Sequence, residues 1–287
     1  MQHFYERLDR ENNYQYEYEK LEHMIYFERI QLRYSCLYEL IEEVFRKWKK
    51  RENYISFDEM RKAVGFDNGY AEGYYRQVTN IDIKEFVVYC EMISSVLWGI
   101  IPFLPDSNVI MERISEIIHT IDATLNKAGL ERKLQDDLTI IVEQNAAAVY
   151  VADKYPDLAD IMIEYNQFLL RGDLDRKREI LVQIIHKLEP KRQELSRLNK
   201  VLENDFFGLA NNADLRHNNV SEESKEYNPK FAAMTNKEKE EIYDLTYEQS
   251  LAAFLVLGQP ERDRKCRQFF KKTSLCGEQE EEAGKAG

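Results

Sequence analysis

Apolar side chains recur every three or four positions along most of the long segments of this chain. Residues 21–51 carry one such stripe, and the segment after Asp106 or Ser107 carries another, which includes Ile114, Ile121 and Leu125. This spacing places the apolar groups on one face of an α-helix. With only 11 Gly and 6 Pro in 287 residues, the chain has few of the turn residues that β-sandwiches and βα-barrels need. We therefore predict an all-α fold.

Two prolines divide the predicted helices into two groups. A long helix that Asp82 can cap runs towards Pro102 and Pro105. These residues end it, because proline lacks the backbone N–H that a helix interior uses. The boundary predicts an N-terminal helical domain over residues 1–104 and a helical bundle over residues 105–258.

Caps and apolar spacing predict the remaining helices of the bundle. Three of them cover residues 145–154, 157–170 and 174–188. A fourth starts at Pro190 and continues through Leu209. The fifth and last runs from the Thr235–Glu238 capping box to Leu257. The last contains Leu251–Leu257, which is apolar on every side and belongs at the centre of a bundle. Leu138–Val142 is β-like but too short to form a sheet unaided. Residues 259–287 are expected to form a charged, partly disordered tail.

The charge balance excludes one broad class of function. The chain has 40 Lys and Arg against 52 Asp and Glu, a net charge of −12. Non-specific nucleic-acid binders neutralise phosphates with cations, so this class is disfavoured. Basic clusters remain at residues 46–51, 187–192 and 262–272. Each fits either a local anion contact or the cation-rich end of a solvated helix.

The chain lacks the patterns typical of secretion and membrane insertion. Residues 1–22 are charged and Tyr-rich, unlike a leader, and the longest apolar stretch, Ile93–Leu104, is shorter than the ~20 residues that cross a bilayer. The four cysteines lack the close spacing of zinc ligands or of a disulfide framework. We expect a cytoplasmic protein with reduced thiols and with no membrane, metal or other cofactor.

One segment concentrates polar side chains at the end of an apolar helix. Residues 206–220 read FFGLANNADLRHNNV, in which four Asn, Arg216 and His217 fall within nine residues. Asn is common at helix ends because its side chain bonds nearby backbone. The segment is therefore either a helix terminus with an Asn-rich loop or a polar pocket at the edge of the bundle.

The pocket interpretation assigns a role to each polar residue. His217 can act as general acid or base on a ribose 2′-hydroxyl, because imidazole titrates near neutral pH. Arg216 can stabilise the charged phosphate through its planar fork of donors. Asn212 is the third candidate catalytic residue, and its side chain can orient the other two. The candidate substrate-binding residues are Asn211, Asn218 and Asn219. Together they predict metal-independent cleavage of RNA.

The stretch from about residue 110 to 258 resembles the HEPN fold (higher eukaryotes and prokaryotes nucleotide-binding). More narrowly, it is similar to bacterial proteins of the abortive-infection kind. The resemblance is carried by the paired helices around Leu181 and Leu198, by Asn211–Asn219, by Tyr243 and Tyr247, and by the Leu251–Leu257 helix. It implies a four-helix bundle that is often dimeric, and for many members an RNase in antiviral or toxin–antitoxin systems.

The same resemblance implies an Arg separated from the catalytic His by four to six intervening residues. Residues 210–212, which stand at those positions before His217, are Ala-Asn-Asn, and Arg216 is directly adjacent to His217 instead. Arg113 and His119 have the spacing, but six residues along a helix place them on different faces. We interpret that second match as coincidental.

Three functions are open on this basis. The first is a bacterial defence or toxin-type effector that cleaves RNA, with a site composed from two subunits as the resemblance implies. The alternatives are a non-catalytic interaction or dimerisation module and a nucleotide-binding regulator. A protein partner or second copy is expected to contact the N-terminal tyrosines Tyr14, Tyr16, Tyr18 and Tyr26.

Overall fold

A computed structural model describes the backbone of residues 13–30 and 33–285, with side chains up to residue 273. Residues 31 and 32, which fall inside the predicted helix 21–51, and residues 1–12 lie outside the described part. The described chain is predominantly helical, which confirms a mostly α-helical fold. It also contains a two-stranded sheet, so the all-α prediction needs correction by one hairpin.

The elements of the first half are α1 (Tyr14–Tyr26), α2 (Leu37–Phe45), α3 (Phe57–Ala63), α4 (Ile83–Ile100), α5 (Asn108–Lys127), β1 (Leu130–Gln135) and β2 (Leu138–Glu143). The helices of the second half are α6 (Ala146–Lys154), α7 (Ala159–Tyr165), α8 (Leu174–Leu188), α9 (Arg192–Leu198), α10 (Lys200–Asn212), α11 (Pro229–Ala232), α12 (Asn236–Leu257) and α13 (Gln259–Lys285).

The chain divides into two compact units, and the division falls at residue 144 rather than at 104. The N-terminal unit contains the residues up to Gln144 together with Asn166–Leu169, and the C-terminal unit contains Asn145–Tyr165 and the residues from Leu170 onward. Pro102 and Pro105 follow the end of α4 but open no new unit, because α5 packs back against α1 and α4. The stretch that resembles HEPN therefore begins inside the N-terminal unit.

The β-like run predicted from the sequence pairs with the segment before it. β1 and β2 are antiparallel, with Gln135 opposite Leu138 across a two-residue turn. Both turn residues, Asp136 and Asp137, have positive φ. This geometry matches the twist of the flanking strands, and Asp tolerates it better than most residues.

Side chains of α4 take the place of a third strand at the free edge of β2. The N–H of Thr139 donates to Ser95 Oγ at 2.8 Å, and the N–H of Ile141 donates to Glu91 Oε1 at 2.7 Å. Ser95 and Glu91 are one helical turn apart, so they satisfy alternate N–H groups of the strand. These bonds place the hairpin in the N-terminal unit and cover its edge.

Residues 166–169 interrupt the helix predicted over 157–170. The carbonyl of Asn166 accepts from the N–H of Glu143 at 2.8 Å, and Gln167 forms a β-bridge with Val142. The backbone of Asn166 and Gln167 is thereby paired with β2, and α7 accordingly ends at Tyr165.

Two other predicted helices are each broken by a second helix start. The segment 21–51 splits into α1 and α2, where the N–H and Oγ of Ser35 donate to the Glu39 carboxylate at 2.8 and 2.6 Å. The helix predicted from Pro190 through Leu209 splits into α9 and α10 at Asn199, whose Oδ1 accepts from the N–H of Leu202 at 3.0 Å. At Asn199 a polar N-cap overrides the continuous apolar spacing, whereas the N-cap residue of α2 is Cys36 and the Ser35–Glu39 bonds hold the start of that helix.

Other predicted helix signals agree with the structure. Asp82 and Thr235 each cap their helix in a reciprocal capping box. The residues of the Leu251–Leu257 part of α12 are buried or half-buried, and α12 packs against α8 and α10, which agrees with its predicted central position. The tail differs from expectation, since α13 continues as one helix through the region predicted to be partly disordered.

Within the described residues, one helix is long and apolar enough to cross a membrane by length and composition. It covers Ile83–Phe103 with a mean hydropathy of 1.7, and 61% of that window is buried inside the protein. Phe86, Cys90, Ile93 and Leu97 all lie in the core of the N-terminal unit. A helix enclosed by its neighbours in this way has the pattern of a core helix.

Candidate functional site

The Asn-rich segment begins where α10 ends. The N–H of Ala213 donates to the carbonyl of Leu209 at 3.0 Å, and Asp214 then turns into the left-handed region with a φ of 57°. The N–H of Arg216 returns to the carbonyl of Ala210 at 3.1 Å. This ending brings residues 214–219 back over the last turns of α10, in the C-terminal unit.

Asn219 holds this loop together from a buried position. Its Oδ1 accepts from the N–H of Asp214 at 2.8 Å, while its own N–H donates to Asp214 Oδ1 at 3.0 Å. Its Nδ2 donates to the carbonyl of Glu226 at 2.6 Å. Asn219 is only 2% exposed, so it supports the loop rather than a substrate, contrary to its predicted role.

Arg216 is already surrounded by partners. One guanidinium nitrogen donates to Asn211 Oδ1 at 2.8 Å, and another forms an ion pair with Glu189. The guanidinium also lies over the ring of Phe207, 5.9 Å from its centroid. Of the predicted partners, Asn211 is therefore beside Arg216, but the donors predicted for phosphate are directed at a carboxylate and an amide.

The other predicted site residues do not converge on Arg216. His217 is exposed. Asn212 Nδ2 donates to the carbonyl of Gly208 at 2.8 Å, one turn back along α10. Asn218 Oδ1 accepts from the N–H of Ser221 at 3.0 Å. These two Asn side chains stabilise backbone, as the alternative interpretation of a helix terminus with an Asn-rich loop predicts.

Part of the basic cluster at residues 187–192 lies next to Arg216. Arg192 stacks on Phe207, with its guanidinium carbon 4.4 Å from the ring centroid, and its Nε donates to Glu203 at 2.6 Å. Lys200 donates to the same carboxylate at 2.7 Å. Hydrogen bonds from Lys200 and Arg192 hold the pKa of Glu203 below its usual value. The cations of this surface are thus locally balanced by acidic groups.

A cleft lies on the neighbouring face, between α10, α11 and α12. Its volume is about 630 Å³, and its apolar lining includes Leu209, Phe231, Met234, Ile242 and Leu245. Gly208 opens onto it, and a Cβ added there would meet nothing within 4 Å. Nothing in the helical periodicity of the sequence distinguishes this face, because it depends on how three helices meet.

Two exposed charges of opposite sign line the cleft. Asp205 stands on α10 and Lys230 on α11. Neither side chain takes part in an ion pair within the described residues. The cleft therefore combines an apolar floor with one carboxylate and one ammonium group, neither of which is in an ion pair within the described residues.

The N-terminal unit holds a buried ion pair that sequence reasoning missed. Arg61 donates to both carboxylate oxygens of Glu22, at 2.8 and 2.9 Å, and both side chains are 0% exposed. Tyr89 Oη and Asn68 Nδ2 also donate to Glu22, at 2.6 and 2.9 Å. The pair is enclosed and has no access to a solute, so it serves the fold.

The tyrosines expected to meet a partner lie mostly in that same core. Tyr18 and Tyr26 are 0% and 2% exposed, and the ring of Tyr14 lies 5.5 Å from that of Phe86. Tyr16 is 60% exposed. The burial of Tyr18 and Tyr26 leaves Tyr16 as the accessible member of the four.

The second Arg–His match in the sequence does not form a site. Arg113 makes ion pairs with Glu28 and with Glu116, the latter at 2.8 Å. His119 is exposed on the same helix. These ion pairs occupy the Arg113 guanidinium and agree with the interpretation of this spacing as coincidental.

No group of three or more His, Cys, Asp and Glu side chains that could hold a metal ion occurs within the ranges that the structure describes. No protein-family model, curated protein or solved structure matches this chain.

Proposed function

We propose that the C-terminal unit is a non-catalytic, HEPN-like interaction module that pairs with a second copy of the chain. The contact surface is the cleft between α10, α11 and α12. The observation that carries this proposal is the engagement of Arg216 by Glu189 and Asn211. These contacts occupy guanidinium donors that RNA cleavage would need for binding phosphate.

Electrostatics favour a structural role for Arg216. A phosphate that approached this guanidinium would have to displace the Glu189 carboxylate or sit beside it, and like charges at such distances repel. The same reasoning disfavours the nucleotide-binding regulator. The resemblance to HEPN proteins is compatible with a bundle that associates without cleaving RNA.

The cleft has the chemistry of a self-complementary surface. Its lining is mainly apolar, and Leu245 remains 40% exposed there. A two-fold interface brings the same patch of both copies together. The free Asp205 of one copy can then face Lys230 of the second copy, while burial of the apolar floor supplies most of the binding energy.

Gly208 provides a direct test of this surface. Gly208→Phe should fill the cleft and weaken self-association at least tenfold. Gly208→Ala adds a Cβ into open space and should leave association unchanged. Sedimentation equilibrium of the full chain measures both. A wild-type chain that is monomeric at every soluble concentration, or a Gly208→Phe variant that dimerises as well as wild type, contradicts the proposal.

RNA cleavage is the second candidate, and one observation favours it. His217 is exposed and adjacent to Arg216, and the Lys187–Arg192 segment lies beside Arg216 through Glu189. An accessible imidazole next to several cations is the minimum that a metal-independent RNase of the defence or toxin type requires. This candidate needs the Glu189 contact to open when RNA binds.

A cleavage assay separates the two candidates. Wild type and His217→Ala are compared on mixed RNA substrates, with His186→Ala as a control because His186 is also an exposed histidine of this unit. The interaction module predicts no turnover by any of the three proteins. Turnover that is lost only in His217→Ala would contradict the non-catalytic interaction module and support the RNase.

A further inference from the structure

An apolar pocket in the N-terminal unit has no part in the proposed association. It lies between the second half of α4, α5 and the hairpin, and its volume is about 390 Å³. That volume falls within the range of small-molecule sites in proteins. The wall is formed mainly by Leu97, Trp98, Met111, Ile114, Ile118 and Leu134.

One polar group in the pocket lacks a partner. The Ser94 side chain lines the pocket and is 0% exposed, yet its Oγ has no hydrogen-bond partner in the part of the chain that the structure describes. The next residue behaves differently, since Ser95 Oγ accepts from the N–H of Thr139 at 2.8 Å. A buried hydroxyl without a partner is rare in a native protein and indicates that something else bonds to it.

The charged groups at the pocket are already paired. Arg132 donates from Nε and from a terminal guanidinium nitrogen to the two oxygens of Asp122, at 2.6 and 2.9 Å. Lys133 Nζ lies 3.0 Å from Glu131. An ionised ligand would lose its hydration in the apolar interior and find no free counter-charge, so the pocket disfavours it.

We infer that this pocket binds a small uncharged molecule with an apolar body and one hydrogen-bonding oxygen. The apolar body occupies the space between Leu97, Ile114 and Ile118. The oxygen bonds Ser94 Oγ at the base of the pocket. Trp98, which is 55% exposed, lies at the wall and covers the ligand.

Three related probes test the inference by isothermal titration calorimetry on the full chain. They are 4-propylphenol, propylbenzene, which lacks the oxygen, and 4-propylbenzoate, which is charged. The phenol should bind at least five times more tightly than propylbenzene, and the benzoate should bind more weakly than either. Trp98 fluorescence should respond to the phenol, whereas Trp48, which is buried against Gly99 of α4, does not line the pocket.

Two serine variants locate the polar contact. Ser94→Ala should abolish the preference for the phenol over propylbenzene without abolishing propylbenzene binding. Ser115→Ala is the matched control, because Ser115 lines the same pocket but is exposed. Circular dichroism verifies that both variants are folded. Absence of saturable phenol binding would mean that water alone satisfies Ser94, and a phenol preference that survives Ser94→Ala would equally overturn the inference.

Discussion

At the residue scale, the N-terminal unit depends on a charge pair that water does not reach. Glu22 accepts from Arg61, Tyr89 and Asn68, so three side chains meet at one carboxylate. Arg61 also donates to the carbonyl of Phe66 at 3.0 Å. A buried carboxylate is tolerated when donors bond to both of its oxygens, and removal of Arg61 would leave Glu22 without its counter-charge.

Arg61→Met should lower the free energy of unfolding by about 3–5 kcal/mol, because Glu22 would remain buried without its counter-ion. Lys62→Met is the control on the same helix, since Lys62 pairs with Asp58 and Glu72 at the surface. That control should change stability far less. Urea unfolding at neutral pH measures both, and equal effects of the two substitutions would contradict the role assigned to Arg61.

Glu91 predicts a pH dependence of stability. Burial raises the pKa of Glu91 from 4.5 to about 7, although the hydrogen bond from the Ile141 N–H lowers it. Between these two values the folded chain binds a proton that the unfolded chain has released. The free energy of unfolding therefore falls as the pH rises through this window, by up to roughly 3 kcal/mol from this group.

Glu91→Gln tests this titration while it keeps an oxygen that can accept from Ile141. The stability of the variant relative to wild type should increase as the pH rises from about 4.5 to 7. Glu112→Gln, at an exposed position of α5, should follow wild type throughout. Urea unfolding at several pH values gives the curves, and parallel curves for wild type and Glu91→Gln would show that Glu91 does not titrate in this window.

At the scale of elements, caps and apolar faces explain what the sequence could predict. The Asp82 and Thr235 capping boxes and the apolar part of α12 are local signals, and the structure agrees with them. The breaks at residues 166–169 and the division at residue 144 depend on the pairing of β2 with distant segments. The spacing of apolar and polar residues along the sequence does not indicate such contacts.

The candidate site shows the same limit. The sequence predicts that polar residues gather after α10, and Asn211 does lie beside Arg216. The sequence could not show that Glu189, 27 residues before Arg216, forms an ion pair with the Arg216 guanidinium. It also could not show that Asn219 is buried in the loop, because both facts follow from tertiary packing.

Adjacent serines of α4 should differ in their effect on stability. Ser95→Ala leaves the buried N–H of Thr139 without its acceptor and should cost about 1–3 kcal/mol. Ser94→Ala removes a hydroxyl that bonds to no described group and should cost nothing measurable in the absence of ligand. Thermal unfolding compares the two variants. A greater loss in Ser94→Ala than in Ser95→Ala would contradict the attachment of the hairpin to α4 through Ser95.

Gly208 should limit the stability of α10. Glycine in a helix interior costs about 0.5–1 kcal/mol relative to alanine, because the unfolded chain has more backbone freedom. A Cβ at this position meets nothing within 4 Å. Gly208→Ala should therefore raise the urea midpoint under conditions where the chain is monomeric, and a lower midpoint would indicate that the cleft is narrower than the structure shows.

At the scale of the whole molecule, the two units have different features. The N-terminal unit contains a buried charge pair and an apolar pocket, and the C-terminal unit contains the cleft that we propose as an association surface. The net charge of −12 opposes self-association in general. The proposed pairing of copies therefore depends on local complementarity, to which Asp205 and Lys230 contribute the charges.

Charge reversal at Asp205 and Lys230 tests the proposed pairing of two copies through the cleft. Sedimentation equilibrium compares wild type with Asp205→Lys, with Lys230→Asp and with the double variant. Each single reversal places like charges opposite each other across the two-fold axis and should weaken self-association at least tenfold, whereas the double variant should restore it. Self-association that is unchanged in the single variants, or that the double reversal fails to restore, would contradict the proposed interface.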